Sequence, residues 1–305
     1  MGQKLYNKNR KYLGVVCIIC SGFFFAAMTA FVKLAGELPT FEKAFFRNLV
    51  AAVMMLVIIL KKKEGFRPEK GNLKYLFARS ICGTIGLVCN FYAVDHLVLS
   101  DANMLNKMSP FFAILFCFIL LKEKLNLVQG LAVLIAFGGS LLIMKPSGNF
   151  ALFFPSLMGL VGGLGAGMAY AFVRVLGVHK ERGDLIVFFF SAFSCIVLLP
   201  LVIWQFEPMT VRQLIILLLA GAAACGGQIC ITKAYTFAPA REISVYDYTQ
   251  VIFSSVFGFF LFGQVPDGYS ILGYVIIIGM AVLMFLYNND LLPHRKKEQA
   301  HESEE

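Results

Sequence analysis

The sequence predicts an all-α integral membrane protein of ten transmembrane helices, arranged as two inverted five-helix repeats. Three observations lead there. The 305 residues are 59% hydrophobic and only 15% charged, with a mean hydropathy of +0.76, whereas a soluble domain carries about 25% charged residues. Apolar runs of about 20 residues, enough to cross a ~30 Å hydrocarbon core, recur along the chain with short connections. The second half of the chain also echoes the first at a nearly constant offset.

The runs fall at 12–35, 41–60, 73–95, 101–121, 126–145, 155–176, 185–205, 211–235, 242–263 and 269–287. The first follows the basic cluster KNRK (8–11) and holds Lys33; the second holds Arg47 and stops at KKK (61–63). The third holds Arg79, the fourth Lys107, the sixth Arg174, the eighth Lys233 and the ninth Asp247. Closely spaced runs of this length predict a helical bundle, because a transmembrane barrel shows short alternating strands instead. With the N-terminus inside, 18 loop lysines and arginines fall on the cytoplasmic side and three, Lys43, Lys145 and Arg212, on the other. That excess predicts an even number of spans with both termini cytoplasmic. Residues 8–30 also have the outline of a signal peptide ending in AMTA; its cleavage would leave nine spans and spoil the repeat. The charged tail, 291–305, has the composition of a disordered segment.

The net charge of +9 does not point to nucleic acid, because the basic residues lie in short clusters between apolar runs rather than on one face. All eight cysteines sit inside apolar runs, where a thiol behaves as a small hydrophobe. Cys17 and Cys20 have CxxC spacing without the polar surroundings that redox or zinc chemistry needs. No GxxxxGK[ST], HExxH or GxSxG motif is present, and the four histidines fall at loops or in the tail. Neither ATP hydrolysis nor a cofactor is expected, and an enzyme is the rival class rather than the leading one.

A shift of 141 residues lays LLKEKLNLVQGLAVLIAFG (120–138) on LFGQVPDGYSILGYVIIIG (261–279), pairing Glu123 with Gln264, Ala132 with Gly273 and Gly138 with Gly279. A shift of 145 pairs Gly14 with Gly159 and Gly22 with Gly167. The expected units are therefore 1–148 and 149–290. Five spans per half, an odd number, require the second copy to be inverted, and inverted repeats enclose a site near the bilayer midplane.

Arg47 in FFRN, the LLKEK and LFGQVPD segments closing the fourth and ninth spans, and ITKAYTFAPA (231–240) followed by DYTQVIFSSVFGFFLFG (247–263) carry a resemblance. The chain resembles the drug/metabolite transporter superfamily, EamA type, over residues 12–287. Gln264 departs from the pattern, which usually has an acidic residue there. The resemblance implies export or exchange of a small metabolite across the bacterial plasma (inner) membrane, and leaves the substrate open.

Charge inside a bilayer costs about 2.5–3.5 kcal/mol on insertion scales, so a buried charge faces a cavity or a partner. Lys33 and Arg174, near helix ends, are expected to snorkel to the interface. Asn103, Asn106, Lys107 and Pro110 follow i, i+3, i+4, i+7 spacing and share a helix face. A polar stripe of that kind is expected to line a water-filled cavity, with Pro110 interrupting the helix. Arg79, Gly83, Gly86 and Asn90 form a second stripe, whose glycines admit a close neighbour, helix or substrate. Asp247, Gln250 and Ser254 form a third, with Tyr246 beside them. Asp247 aligns with Asn106 under the repeat, which predicts polar clusters on opposite sides of the midplane. Lys233 or Arg79 is the expected ion partner of Asp247. Arg47 is expected to read a carboxylate or phosphate, or to anchor its helix.

The substrate-binding set is therefore Arg47, Arg79, Asn90, Asn103, Asn106, Lys107, Lys233, Tyr246, Asp247 and Gln250. Its basic excess would concentrate anions. Asp247 and His96 are the groups expected to carry protons, while Asp95 and Asp101 are expected to be solvated in an outer loop. The function this predicts is secondary transport of a small polar metabolite, anionic or zwitterionic, by alternating access. A membrane-embedded enzyme and a passive channel or scaffold are the alternatives. Lipid and a small-molecule substrate are the expected partners, and a homodimer is compatible with such a bundle.

Overall fold

The computed structural model describes residues 2–63, 65–121, 127–144, 150–237 and 244–288. Among these residues the chain is all-helical. The helices are α1 (Gly2–Leu34), α2 (Thr40–Lys61), α3 (Leu73–His96), α4 (Leu99–Asn106), α5 (Ser109–Leu121) and α6 (Leu127–Met144). They are followed by α7 (Phe150–Val178), α8 (Gly183–Trp204), α9 (Val211–Phe237), a 3-10 turn (Ser244–Tyr248), α10 (Thr249–Phe262) and α11 (Gly268–Asn288). Eight helical segments are long and apolar enough to cross a membrane, with Gly130–Met144 as a shorter apolar helix. The charged tail (291–305), Arg241 and the KEK of the fourth connection lie outside the described residues.

The expected fourth and ninth spans are not continuous helices. In the fourth, the N–H of Lys107 still reaches the Asn103 carbonyl at 2.9 Å, but the N–H of Met108 closes a tighter turn onto Leu105 at 3.1 Å. Helix α5 restarts at Ser109 and places Pro110 in its first turn, where a missing N–H needs no partner. Pro110 thus opens a helix rather than kinking one. In the ninth, the 3-10 turn delivers the chain into α10, which ends at Gly263 with a left-handed φ of 62°. The turn at Gly263 brings Gln264 back over the bundle. Its side-chain oxygen accepts the N–H of Leu99, at the start of α4, at 3.0 Å.

Packing follows the glycines. Helix α3 lies against α7, α1 against α9, α2 against α8, and α6 against α11. A Cβ on Gly86 would sit 2.9 Å from the Ala166 nitrogen, and one on Gly165 would sit 2.8 Å from the Gly86 Cα. The two backbones touch there, so Gly86 serves helix packing. Gly22 presses α1 on the start of α10, where a Cβ would meet Thr249 Oγ1 at 3.0 Å. Gly167 presses α7 on the start of α5, where a Cβ would meet the Ser109 carbonyl at 2.7 Å.

Large apolar side chains face outward: Phe260 is 78% exposed and Ile196 71%. Asn48, Ser80, Asn103 and Gln250 are buried. Apolar surface on this scale marks contact with another apolar phase, and a bundle whose backbone groups pair within helices suits lipid. Several charges also turn inward, against expectation. Lys43 is buried and pairs with Asp95 at 2.7 Å, while Asp101, also buried, accepts the Tyr274 hydroxyl at 2.5 Å. Neither acid is solvated in a loop. Lys33 does not snorkel; its ammonium donates to the carbonyls of Val94, at 2.8 Å, and Leu97, closing the C-terminal end of α3. A cation at a helix C-terminus satisfies free carbonyls and the helix dipole together.

Candidate functional site

A cavity of about 140 Å³ lies between α1, α2, α3, the α4–α5 break, α7, α8, α9 and α10. One wall is a polar junction between the two interrupted segments. The Asn103 amide donates to Thr29 at 3.1 Å and to the Leu99 carbonyl at 2.8 Å. Its oxygen accepts from Gln250 at 2.9 Å. The Lys107 ammonium meets Asp247 at 2.5 Å, and the Tyr248 hydroxyl donates to the Lys107 carbonyl at 3.2 Å. The ion pair is largely buried, with side chains 9% and 14% exposed. Lys107 stands where α4 ends and Asp247 in the 3-10 turn before α10, so each helix break supplies one charge.

The opposite wall carries two guanidinium groups. Arg79 stacks on Phe190, its central carbon 3.8 Å from the ring centroid, a cation–π contact. Gly83 makes room for this: a Cβ there would be 2.9 Å from both Arg79 Nη1 and Phe190. Nε and Nη1 of Arg79 are buried and have no hydrogen-bond partner among the described residues. Arg47 is steered by its neighbour Asn48, whose Oδ1 accepts from Nη1 at 2.7 Å, but its Nε is likewise buried and unsatisfied. Asn90 Oδ1 on the cavity wall and Asp247 Oδ1 are also unsatisfied. Leaving such groups unpaired costs about 1–3 kcal/mol each, more when charged.

Of the ten residues expected at the site, Arg47, Arg79, Asn90, Asn103, Asn106, Lys107 and Gln250 line the cavity. Asp247 is behind it, held by Lys107 rather than by the expected Lys233 or Arg79. The first and third polar stripes, on the fourth and ninth spans, therefore meet at one junction. Tyr246 is 38% exposed and outside the cavity. Lys233 is exposed and lines a separate cavity of about 540 Å³ with Lys62, Arg182 and Asp184. A further gap of about 20 Å³, walled by Arg47, Arg79 and Phe190, lies between them, and Gln228 borders all three spaces. His96 is exposed at the end of α3, stacked on Tyr92 at 4.2 Å, and takes no part in the cavity.

Sequence reasoning passed over Thr29, Phe190 and Gln228, all of which line the cavity. Each is a single polar or aromatic residue in an apolar run, without the helical stripe that marked the others. In α9 the small-residue run AAACGGQ offered a weak signal for Gln228.

Comparison with known proteins agrees with this architecture. Residues 12–145 and 154–286 each match the EamA-like transporter family. The pseudopaline exporter of Pseudomonas aeruginosa is 32% identical over 267 residues, covering 87% of this chain and 93% of the exporter. The S-adenosylmethionine uptake transporter of Rickettsia prowazekii is 22% identical, covering 84% of this chain and 85% of its own. A solved crystal structure shares the fold at a TM-score of 0.64 and 14% identity, over 91% of this chain and 98% of that one. An apolar all-helical bundle, a central polar cavity and two matches that together span nearly the whole chain have one common explanation: this is an integral multi-pass membrane protein belonging to the EamA-like transporter family.

Proposed function

We propose that the chain is a secondary transporter of a small polar metabolite, anionic or zwitterionic, working by alternating access between two inverted halves, residues 1–148 and 149–290. The observation that carries this reading is the pair of cavity guanidiniums, each with a buried N–H group that finds no partner among the described residues. Unpaired cations inside a bilayer are costly, and a negatively charged cargo supplies what the protein withholds.

The inverted halves draw support from the packing pattern. If ten spans are counted, with α4–α5 as the fourth and the 3-10 turn with α10 as the ninth, the most extensive contacts have counterparts five spans away. The third packs on the sixth as the eighth packs on the first; the fourth packs on the sixth as the ninth packs on the first. Gly22 and Gly167, paired by the repeat, press on corresponding starts of α10 and α5. The two family matches fall one in each half. Alternating access also needs a way out. With both termini cytoplasmic, Gln228 stands between the central cavity and an inner mouth that holds Lys233 and the Lys62–Asp184 pair at 2.8 Å. Relatives named for export and for uptake leave direction to the substrate gradient.

Counter-flow in proteoliposomes tests this. Preloading with unlabelled substrate is expected to accelerate labelled uptake; equal rates with and without preloading mean a channel, and conversion of the solute means an enzyme.

A further inference from the structure

Resting on the transport reading above, the charge inventory of the cavity narrows the cargo: we propose that it is a small organic dianion whose two negative charges are met by Arg47 and Arg79. Among the described residues, no aspartate or glutamate lines the central cavity. The Lys107 charge is already cancelled by Asp247 at 2.5 Å. Arg47 and Arg79 are left as two cations, and neither has a carboxylate within ion-pair reach among the described residues.

Their geometry is that of a site held ready. Arg79 is fixed over Phe190, and Gly83 alone leaves space for that placement. Arg47 is oriented through Asn48. Each keeps a buried N–H without a protein acceptor. Planar guanidinium groups take carboxylate and phosphate oxygens in paired hydrogen bonds, and groups fixed beforehand lose little freedom on binding.

The class of cargo follows from charge balance. A monoanion neutralises one arginine and leaves the other. A zwitterion brings an ammonium that no lining carboxylate neutralises: Asp247, behind the cavity, is already paired with Lys107, and the free Asn90 oxygen is a neutral acceptor. A dianion neutralises both and adds no cation. Dicarboxylates and phosphate monoesters share that property.

Purified full-length protein in detergent decides it by thermal unfolding in the presence of succinate, butyrate, 4-aminobutyrate or glycerol 3-phosphate at matched ionic strength. The first three share a four-carbon chain and differ in charge. Succinate or glycerol 3-phosphate is expected to raise the unfolding midpoint at a concentration at least tenfold below that needed with butyrate or 4-aminobutyrate; which of the two acts separates dicarboxylate from phosphate ester. In Arg47→Gln and Arg79→Gln the dianion is expected to lose its tenfold advantage over butyrate. Arg79→Lys, which keeps charge but not the planar fork, covers the case of a glutamine variant that fails to fold and is expected to weaken the dianion at least fivefold. Equal stabilisation by 4-aminobutyrate or butyrate overturns the proposal, as does a dianion response unchanged in the variants, or no response to either dianion. Counter-flow of a zwitterion alone would retire the dianion and keep transport. Dianion binding without any counter-flow would do the reverse.

Discussion

The two walls of the central cavity treat charge in opposite ways. At the junction of α4 with the turn before α10, Lys107 has Asp247, Asn103 has Thr29 and Gln250, and Tyr248 reaches a backbone carbonyl. Across from it, Arg47 and Arg79 hold N–H groups that nothing in the described protein accepts. A satisfied polar cluster ties parts of the chain together; an unsatisfied one stores a demand that a ligand can meet. The difference teaches that residues of one charge type in one cavity need not share a role. Lys107 is held within the architecture of the breaks, whereas the arginines keep buried N–H groups without an acceptor among the described residues, the feature on which the proposed dianion site rests.

That contrast makes mutational effects separable. The largest loss of stability is expected from Lys107→Ala, because it strands a buried carboxylate: about 3–5 kcal/mol, read as a lowered unfolding midpoint and poorer yield. Replacing both members, Lys107→Met with Asp247→Leu, is expected to recover most of it. Loss of transport with unchanged expression in Lys107→Ala would instead place Lys107 among the cargo ligands and erase the contrast. Arg79→Gln is expected to behave oppositely. Transport should fall about 100-fold, the equivalent of one or two charge-assisted hydrogen bonds at ~1.5–3 kcal/mol each. The unfolding midpoint of the empty protein should hold or rise, since an uncompensated charge has been removed. A destabilised Arg79→Gln protein would make this arginine structural.

Smaller effects sharpen the picture. Gln264→Ala removes the acceptor for Leu99 N–H at the start of α4 and is expected to cost about 0.5–1.5 kcal/mol, with transport reduced only as far as α4 is loosened. His96→Gln is expected to leave proteoliposome uptake and its pH dependence unchanged, because His96 is exposed and remote from the cavity lining. A shifted pH profile in that variant would restore it as a proton carrier.

Much of the cavity was legible in the stripes. Helical spacing put Asn103, Asn106 and Lys107 on one face, and Arg79 and Asn90 on another, and the cavity receives both. Spacing works because a polar side chain in lipid must turn inward, and neighbours at i, i+3 and i+4 turn together. It failed where the answer depended on which helix lies opposite. Lys233 lies in the eighth run yet opens on a different space, and Lys33 and Lys43 found carbonyl and carboxylate partners where interface or loop positions were expected. Gln264 lost the acidity usual at its position but kept an acceptor oxygen, which is what the α4 terminus uses.

By itself the sequence determined that the chain is helical, lives in lipid and carries its polar residues on inward faces. These are sums over neighbouring residues, and the transfer free energy of a run does not depend on what packs beside it. Only the tertiary structure decided that Lys107 and Asp247 neutralise each other while Arg47 and Arg79 stay unpaired. A direct ion pair needs nitrogen and oxygen within about 4 Å of each other, so it is settled by contacts between residues far apart along the chain, brought together at two helix breaks that hydropathy does not register.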